Sequence, residues 1–379
     1  MGEYRERILY VASTAAHLRQ FHLPYLRALR DRGCAVTAAG AGEGTGLPEG
    51  VDFLPVPFEK RYLCRNNLRA LGILGRELRR GNYDLVAVHT SLAAFWTRLA
   101  LGTMGHGRPR VVNTVHGYLF DKDSPAPKRA LLLAAERLCA PVTDDLLVMN
   151  RQDLDIAQSH RLCRGRAALI PGMGVDLSGF HPAGEAERAA ARQRFALRSD
   201  VFVLLCAAEF SPRKNQAFLI RALRDLPDSV CLLLPGEGER RAECRALAEA
   251  LGLGERVRFP GQLPSAAPAF LAADLYVSAS RSEGLPFAVM EAMGCALPAL
   301  LSRVKGHEDL LSDPETGRLY PFGDREAFVH GVRELMDDAA LRARLGSNAL
   351  RAVEPYTLER VLPQVLPRYL TKGETSATL

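Results

Sequence analysis

A chain of 379 residues is long for one hydrophobic core, so two domains of roughly 150–200 residues are the expectation. A hydrophobic content of 47% against 24% charged residues excludes a disordered chain, and no apolar run approaches the roughly 18 residues that span a bilayer. The net charge of +6 equals the surplus of one short segment, residues 60–80, where Lys60, Arg61, Arg65, Arg69, Arg76, Arg79 and Arg80 are set against Glu77 alone.

The first element is the strand Arg7-Ile-Leu-Tyr-Val-Ala-Ser13, whose apolar part is too short for a signal peptide. A loop and a helical pattern at 23–29 follow, then strands at 36–39, 85–88, 111–114 and 146–148. The second half opens in the same way, with a strand at 201–207, a loop and a helical pattern at 216–223. Its further strands fall at 230–234, 257–259, 275–278 and 299–301. Continuous apolar strands separated by helices belong to parallel sheets covered on both faces. The expected fold is therefore α/β, with two doubly wound Rossmann-like domains.

The join lies in Ile170-Pro-Gly-Met-Gly-Val-Asp176, which breaks regular structure before a polar helix at 185–194. The predicted domains are residues 1–172, residues 173–354, and a segment 355–379. That last segment holds a terminal helix, expected to pack back on the first domain, and a frayed tail from Gly373. Pro363 and Pro367 argue against a straight helix there. The eight cysteines are scattered, without a CxxC pair or metal-ligand spacing, and read as reduced thiols of a cytoplasmic protein.

Two groups of residues carry chemistry. In Arg281-Ser-Glu-Gly-Leu-Pro-Phe-Ala-Val-Met-Glu-Ala-Met-Gly294, a strand end turns into a helix with Glu283 before it and Glu291 within it. At 1.5 Å per residue the two carboxylates stand about 12 Å apart, a span suited to the two ends of a nucleotide sugar. Glu291 lies between apolar pairs, Val289-Met290 and Ala292-Met293, so it is expected in a cleft, where ligand hydroxyls can satisfy it. The second group, Glu209-Phe-Ser-Pro-Arg-Lys-Asn-Gln216, follows the first strand of the second half. Ligands of open parallel sheets bind beyond the carboxyl ends of strands, where Arg213 and Lys214 can neutralise a diphosphate. Read alone, this loop is equally an ordinary solvated helix start. His116 ends a strand and reads either as a structural hydrogen-bonded residue or as a site residue. His17, His22, Glu308 and Asp309 are weaker candidates for the same cleft.

Residues 66–80 form a candidate amphipathic helix, with Leu71, Leu74 and Leu78 on one side and Arg69, Arg76 and Arg80 on the other. Its basic side, with Arg65, is either a solvated face or a docking site for an anionic membrane surface. No aromatic residues are interleaved with the charge, which disfavours nucleic acid as a partner.

Ser211-Pro-Arg-Lys-Asn215 together with Glu283 and Glu291 resembles the donor site of the retaining GT-B glycosyltransferases of family 4. Val115-His-Gly117, Pro171-Gly-Met-Gly-Val-Asp176 and Gly236-Glu-Gly238 extend the resemblance over nearly the whole chain. Thr114-Val-His-Gly-Tyr118 and Ala208-Glu-Phe-Ser-Pro-Arg-Lys-Asn-Gln216 are most similar to the exopolysaccharide and capsule enzymes of that family. The resemblance implies a GT-B arrangement with parallel sheets facing a central cleft. It implies that Glu291 binds ribose hydroxyls, and that Glu283, Gly284, Leu285, Pro286 and Phe287 hold the donor sugar. Arg213 and Lys214 would stabilise the departing diphosphate, and His116 would reach the donor sugar. It further implies retention, no required metal or cofactor, a donor that is a nucleotide sugar such as a UDP-sugar, and a lipid-linked saccharide acceptor at the inner membrane face. Two departures stand out. Ala208-Glu209 replaces a frequent Gly-Arg, and Ser13-Thr-Ala-Ala-His17 lacks the glycines common at that loop. The rival readings are a non-catalytic donor- or partner-binding subunit and a sugar-nucleotide epimerase on a similar fold.

Overall fold

The computed structural model describes residues 5–61, 64–105, 107–122, 124–311 and 315–370. The chain forms two compact units, one of residues up to Gly174 joined by the segment that begins at Leu358, the other Val175–Thr357. Gly172 and Gly174, both at positive φ (78° and 82°), make the turn at the join, where a Cβ on Gly174 would lie 2.7 Å from the Leu358 backbone.

The first unit is built on strands β1 (Arg7–Thr14), β2 (Ala35–Ala41), β3 (Val51–Pro55), β4 (Leu85–His89), β5 (Arg110–Val115), β6 (Asp145–Val148) and β7 (Ala167–Leu169). They pair in parallel in the order β3-β2-β1-β4-β5-β6-β7. The second unit contains β8 (Phe202–Leu205), β9 (Val230–Pro235), β10 (Val257–Gly261), β11 (Leu275–Ser278), β12 (Ala299–Ser302) and β13 (Arg318–Tyr320), also parallel, ordered β10-β9-β8-β11-β12-β13. Both sheets are doubly wound, with their strand order reversing between β1 and β4 in one unit and between β8 and β11 in the other. Central strands are buried along their whole length: β4, β8, β9, β11 and β12 carry no exposed residue. Their apolar side chains form the cores, Leu9, Val11, Val86 and Val88 in the first unit and Leu204, Leu232, Val277 and Leu300 in the second.

Three strands absent from the sequence reading, β3, β7 and β13, are sheet edges with only partial burial, so they lack the continuous apolar run of a central strand. The terminal segment forms a helix, Leu358–Val365, that contains Pro363, followed by a 3₁₀ turn, Leu366–Tyr369. It is held in the first unit by Thr114 Oγ1 to Tyr369 Oη (2.6 Å) and by Arg110 Nη1 donating to the Leu370 carbonyl (3.0 Å). The tail from Gly373 lies outside the described residues. No described helix is long and apolar enough to cross a membrane, and all eight cysteines are free thiols.

Candidate active site

In the second unit the loops after β8 and β11 leave adjacent strands at the reversal of strand order, the position at which open α/β sheets bind ligands. The loops are laced together: Arg281 N donates to the Arg213 carbonyl (2.9 Å) and Asn215 Nδ2 to that of Ala279 (3.3 Å). Asn215, left-handed at φ 56°, turns the first loop into the helix Gln216–Leu223.

This lacing brings three charges together. Glu283 receives Arg213 Nη1 on Oε2 (2.6 Å) and Lys214 Nζ on Oε1 (2.7 Å), and Arg213 Nη1 also donates to the Ser282 carbonyl (3.0 Å). Burial would push the Glu283 carboxyl up, but the Lys214 ammonium and Arg213 guanidinium override it and hold the carboxyl at about 2. Glu283 is 6% exposed and Arg213 is 44% exposed, so the carboxylate is sealed while one cation still reaches solvent. Two cations around one carboxylate leave a net positive end, which suits an anionic ligand.

The helix Phe287–Gly294 follows Gly284, the buried Leu285 and Pro286, with Phe287 as its first residue. Glu291 lies on it, partly buried. Its carboxyl makes no hydrogen bond or ion pair within the described residues, and burial raises it to about 7. A third loop, the one that carries the candidates Glu308 and Asp309, follows β12: a Cβ on Gly306 (φ 79°) would lie 2.6 Å from the Gly284 carbonyl, so only glycine lets this backbone lie against the Glu283 turn. The loop carries the buried Lys305 and His307. His307 Nδ1 pairs with the Ser302 carbonyl (2.8 Å), and burial lowers this imidazole to about 4. Asp309, a weak candidate from sequence, accepts from Gly306 N (3.1 Å) and so shapes this loop, while Glu308 stands 3.9 Å from Arg303. Their one local signal is a glycine among polar residues directly after a buried strand.

In the first unit, the reversal between β1 and β4 gathers histidines. His116, just beyond β5, places Nε2 3.1 Å from Nδ1 of His89, the last residue of β4. His17, on the helix Ala15–Phe21, and His22, directly after it, stand with ring centroids 5.4 Å from His116. Burial lowers His116 to about 3, with His17 adding to the effect, so the ring is a neutral hydrogen-bonding group. Sequence singled out His17, His22 and His116, but not His89, which ends an otherwise apolar strand.

The helix Arg65–Arg80 buries Ala70, Leu74, Gly75 and Leu78, leaves Leu71 half-buried, and exposes Arg65, Arg69, Arg76 and Arg80. Asn67, also buried, fixes the preceding basic segment by bonding the backbone of Glu59 and Arg61. Leu68 projects among the arginines. On the helix Ala126–Cys139, Leu131 and Leu138 are 72% and 62% exposed beside Lys128, Arg129 and Arg137.

Residues 25–178 match Glycosyltransferase Family 4, and residues 187–352 match Glycosyl transferases group 1. EpsD of Bacillus subtilis (strain 168), named as a glycosyltransferase, is 31% identical over 363 residues, 94% of this chain and 95% of that protein. An Escherichia coli protein named UDP-Gal:alpha-D-GlcNAc-diphosphoundecaprenol alpha-1,3-galactosyltransferase is 24% identical over 81% of this chain and 82% of its own. Two solved structures share the GT-B fold. Sucrose-phosphate synthase of Thermosynechococcus elongatus has a TM-score of 0.78 at 23% identity, with 96% of this chain and 98% of that one covered. HepE of Anabaena, solved with UDP and glucose, has a TM-score of 0.78 at 19% identity, with 96% and 99% covered.

Proposed function

The chain belongs to the family 4 and group 1 glycosyltransferases, and within them we propose that it moves a sugar from a UDP-linked donor onto a polyprenyl-diphosphate-linked saccharide, with retention. The observation that carries this reading is the Glu283 carboxylate clamped by Arg213 and Lys214, on the same turn-and-helix as the unpartnered Glu291. A nucleotide sugar meets both needs at once. Its ribose hydroxyls donate to Glu291, its diphosphate takes the positive end at Arg213 and Lys214, and its sugar hydroxyls bond Glu283 and the backbone of Gly284, Leu285 and Phe287.

In the transfer, the bond between the anomeric carbon and the leaving phosphate oxygen breaks and a bond to the acceptor oxygen forms on the same face. The acceptor proton passes to the departing phosphate. The diphosphate gains negative charge in this step, and Arg213 and Lys214 are preorganised beside it, doing the work that a divalent cation does in other transferases. Glu283 and Glu291 position the donor, and neither is an acid or base here. His116, neutral, hydrogen-bonds the donor sugar. HepE, solved in complex with UDP-glucose, and the undecaprenol-linked substrate named for the Escherichia coli relative support this donor and acceptor class.

The acceptor's lipid would hold the enzyme at the cytoplasmic membrane face through Arg65, Arg69, Arg76 and Arg80, with Leu68, Leu131 and Leu138 as exposed apolar contacts. Each basic residue at an anionic surface contributes about 1 kcal/mol. Reversing the charge of Arg69, Arg76 and Arg80 is expected to abolish sedimentation with anionic liposomes, and unchanged sedimentation removes the membrane contact.

The donor is tested by thermal shift with UDP-, GDP- and ADP-sugars, since a ligand of the native state raises its melting temperature. UDP-sugars are expected to give the largest rise. Nuclear magnetic resonance of the product then reads whether the anomeric configuration is kept. An inverted product would remove the same-face mechanism.

A further inference from the structure

His116 lies just beyond β5, on backbone that is held on both sides. Before it, Thr114 Oγ1 and Tyr369 Oη are hydrogen-bonded at 2.6 Å. After it, Gly117 takes φ 114° and Tyr118 N donates to the buried Asp153 (3.0 Å). A fixed backbone still leaves an imidazole free to turn about its side-chain torsions. That freedom meets His89, the last residue of β4, whose Nδ1 stands 3.1 Å from His116 Nε2. We propose that His89 is a positioning residue for the transfer: it holds the His116 ring and keeps the ring proton on Nδ1, from which it is donated to a hydroxyl oxygen of the donor sugar. This rests on the reading that His116 bonds that sugar.

His89 is itself held firmly. It is fully buried, Tyr10 stacks on it at 4.5 Å, and the rings of His22 and Tyr369 stand 4.4 and 5.8 Å away. The next residue, Thr90, sits at φ 63°, where a β-branched side chain is rare, and its Oγ1 accepts from Ser13 N (3.1 Å). Such strain persists only where the surroundings over-determine the backbone, and it clusters at functional sites. His89 is in register with Thr114 on the neighbouring strand, so the two imidazoles meet across the strand ends. They are distant in sequence, and the adjacency of β4 and β5 alone brings them together.

The pair also has a direction. Burial lowers both imidazoles, so each is neutral, with one N–H and one lone pair. Nε2 of His89 is buried and has no hydrogen-bond partner. If His116 Nε2–H donated, His89 would carry its own proton on that Nε2, as a buried N–H with nothing to accept it. If His89 Nδ1–H donates instead, its Nε2 keeps only a lone pair. An unpartnered buried N–H is rarer in proteins than an unpartnered acceptor, so the second arrangement follows. His116 Nε2 is then the acceptor and its proton sits on Nδ1, which makes no bond within the described residues. The hydrogen bond at one ring nitrogen thus fixes what the other offers.

Nitrogen-15 spectra of the histidine side chains in the full chain read the tautomers directly, with His116→Ala assigning its signals. A protonated Nδ1 and a bare Nε2 are expected on His116, and a bare Nδ1 overturns the proposal. Turnover is followed as release of UDP from the UDP-sugar that gives the largest thermal shift. His89→Leu should lower kcat roughly 10–100-fold, the scale of a reacting group misplaced by about 1 Å, and leave the calorimetric affinity for UDP unchanged. Added to His116→Ala, the same change should cost nothing further, since His89 acts only through His116. His89→Asn, whose amide can donate from near the Nδ1 position, should recover most of the loss. Trp96 fluorescence checks the fold of each variant. The proposal is overturned if folded His89→Leu turns over as the parent does, or if its loss is as large in the His116→Ala background. Parental turnover by His116→Ala would remove the donor-sugar contact as well, whereas parental turnover by His89→Leu alone removes only the positioning role. If the parent turns over no UDP-sugar, the donor reading fails, and the spectra alone decide the pair.

Discussion

At the reversal of strand order in the first unit stand four imidazoles, His17, His22, His89 and His116, with no charged pair between them among the described residues. At the same topological position in the second unit stand Arg213, Lys214 and Glu283, two cations around one carboxylate. Burial acts on both sets and has opposite results. The imidazoles have no anion beside them, so burial lowers them and they are neutral. Glu283 has two cations within 2.7 Å, and their attraction exceeds the burial penalty, so it stays ionised. One fold position thus hosts either a neutral hydrogen-bonding surface or a charged one, and the neighbouring side chains decide which.

The contrast is broken or sharpened most strongly by acid. Unfolding returns His17 and His116 to the ordinary value near 6.5, above their folded values of about 4 and 3. Their contribution to stability is therefore present above pH 6.5 and is lost as pH falls toward the folded values. At about 1.4 kcal/mol per pH unit, each costs about 2 kcal/mol by pH 5, or about 4 kcal/mol for the two. Glu283, lowered from the ordinary 4.5 to about 2, keeps its contribution above 4.5 and loses it only as the pH falls from there toward 2. The single tryptophan, Trp96, is buried in the first unit and reports on that unit alone. The urea midpoint of its fluorescence should fall clearly between pH 7 and pH 5, and an unchanged midpoint would mean that the histidines are not buried neutral.

On the other side of the comparison, Lys214→Ala should lower kcat by about 10²–10³-fold, the scale on which removing one preorganised transition-state partner acts. Glu283→Ala should lower kcat similarly but keep or tighten the affinity for the nucleoside diphosphate, because two cations lose their internal counter-ion. Circular dichroism of each variant checks the fold. Wild-type turnover in both would dissolve the charged half of the contrast.

Much of this was legible before any coordinates. The central strands announce themselves because burial on both faces demands unbroken apolar runs such as Leu85-Val-Ala-Val88 and Val230-Cys-Leu-Leu-Leu234. The edge strands β3, β7 and β13 do not, since one side of each is left to solvent. Arg213, Lys214, Glu283 and Glu291 stand in local motifs, and resemblance supplied their roles. Their pairing is another matter. Glu283 is 69 positions from Lys214, and only the adjacency of β8 and β11 unites them. His89, Lys305 and His307 were missed because each follows or ends a buried strand as an unremarkable polar residue. Their importance lies in partners that the chain brings from elsewhere.

The smallest effect concerns Glu291, which belongs with the charged unit by position and with the histidines by behaviour. Like them it has no counter-ion among the described residues, and burial shifts it toward neutrality, to about 7. Its raised carboxyl favours the ligand-free fold at low pH, and that benefit is lost as pH rises through 7. Ribose hydroxyls donating to the carboxylate reverse the preference, since they bind the ionised form. A UDP-sugar carries a diphosphate already fully ionised at pH 6, so a change in affinity above that pH reports on the protein. With a carboxyl at 7, the ionised fraction rises about tenfold from pH 6 to pH 8, and donor affinity should rise by up to that factor. Glu291→Gln should bind more weakly at pH 8 and show a flat profile by calorimetry. A rise that persists in Glu291→Gln would move the titrating group elsewhere and leave Glu291 without a ligand to complete it.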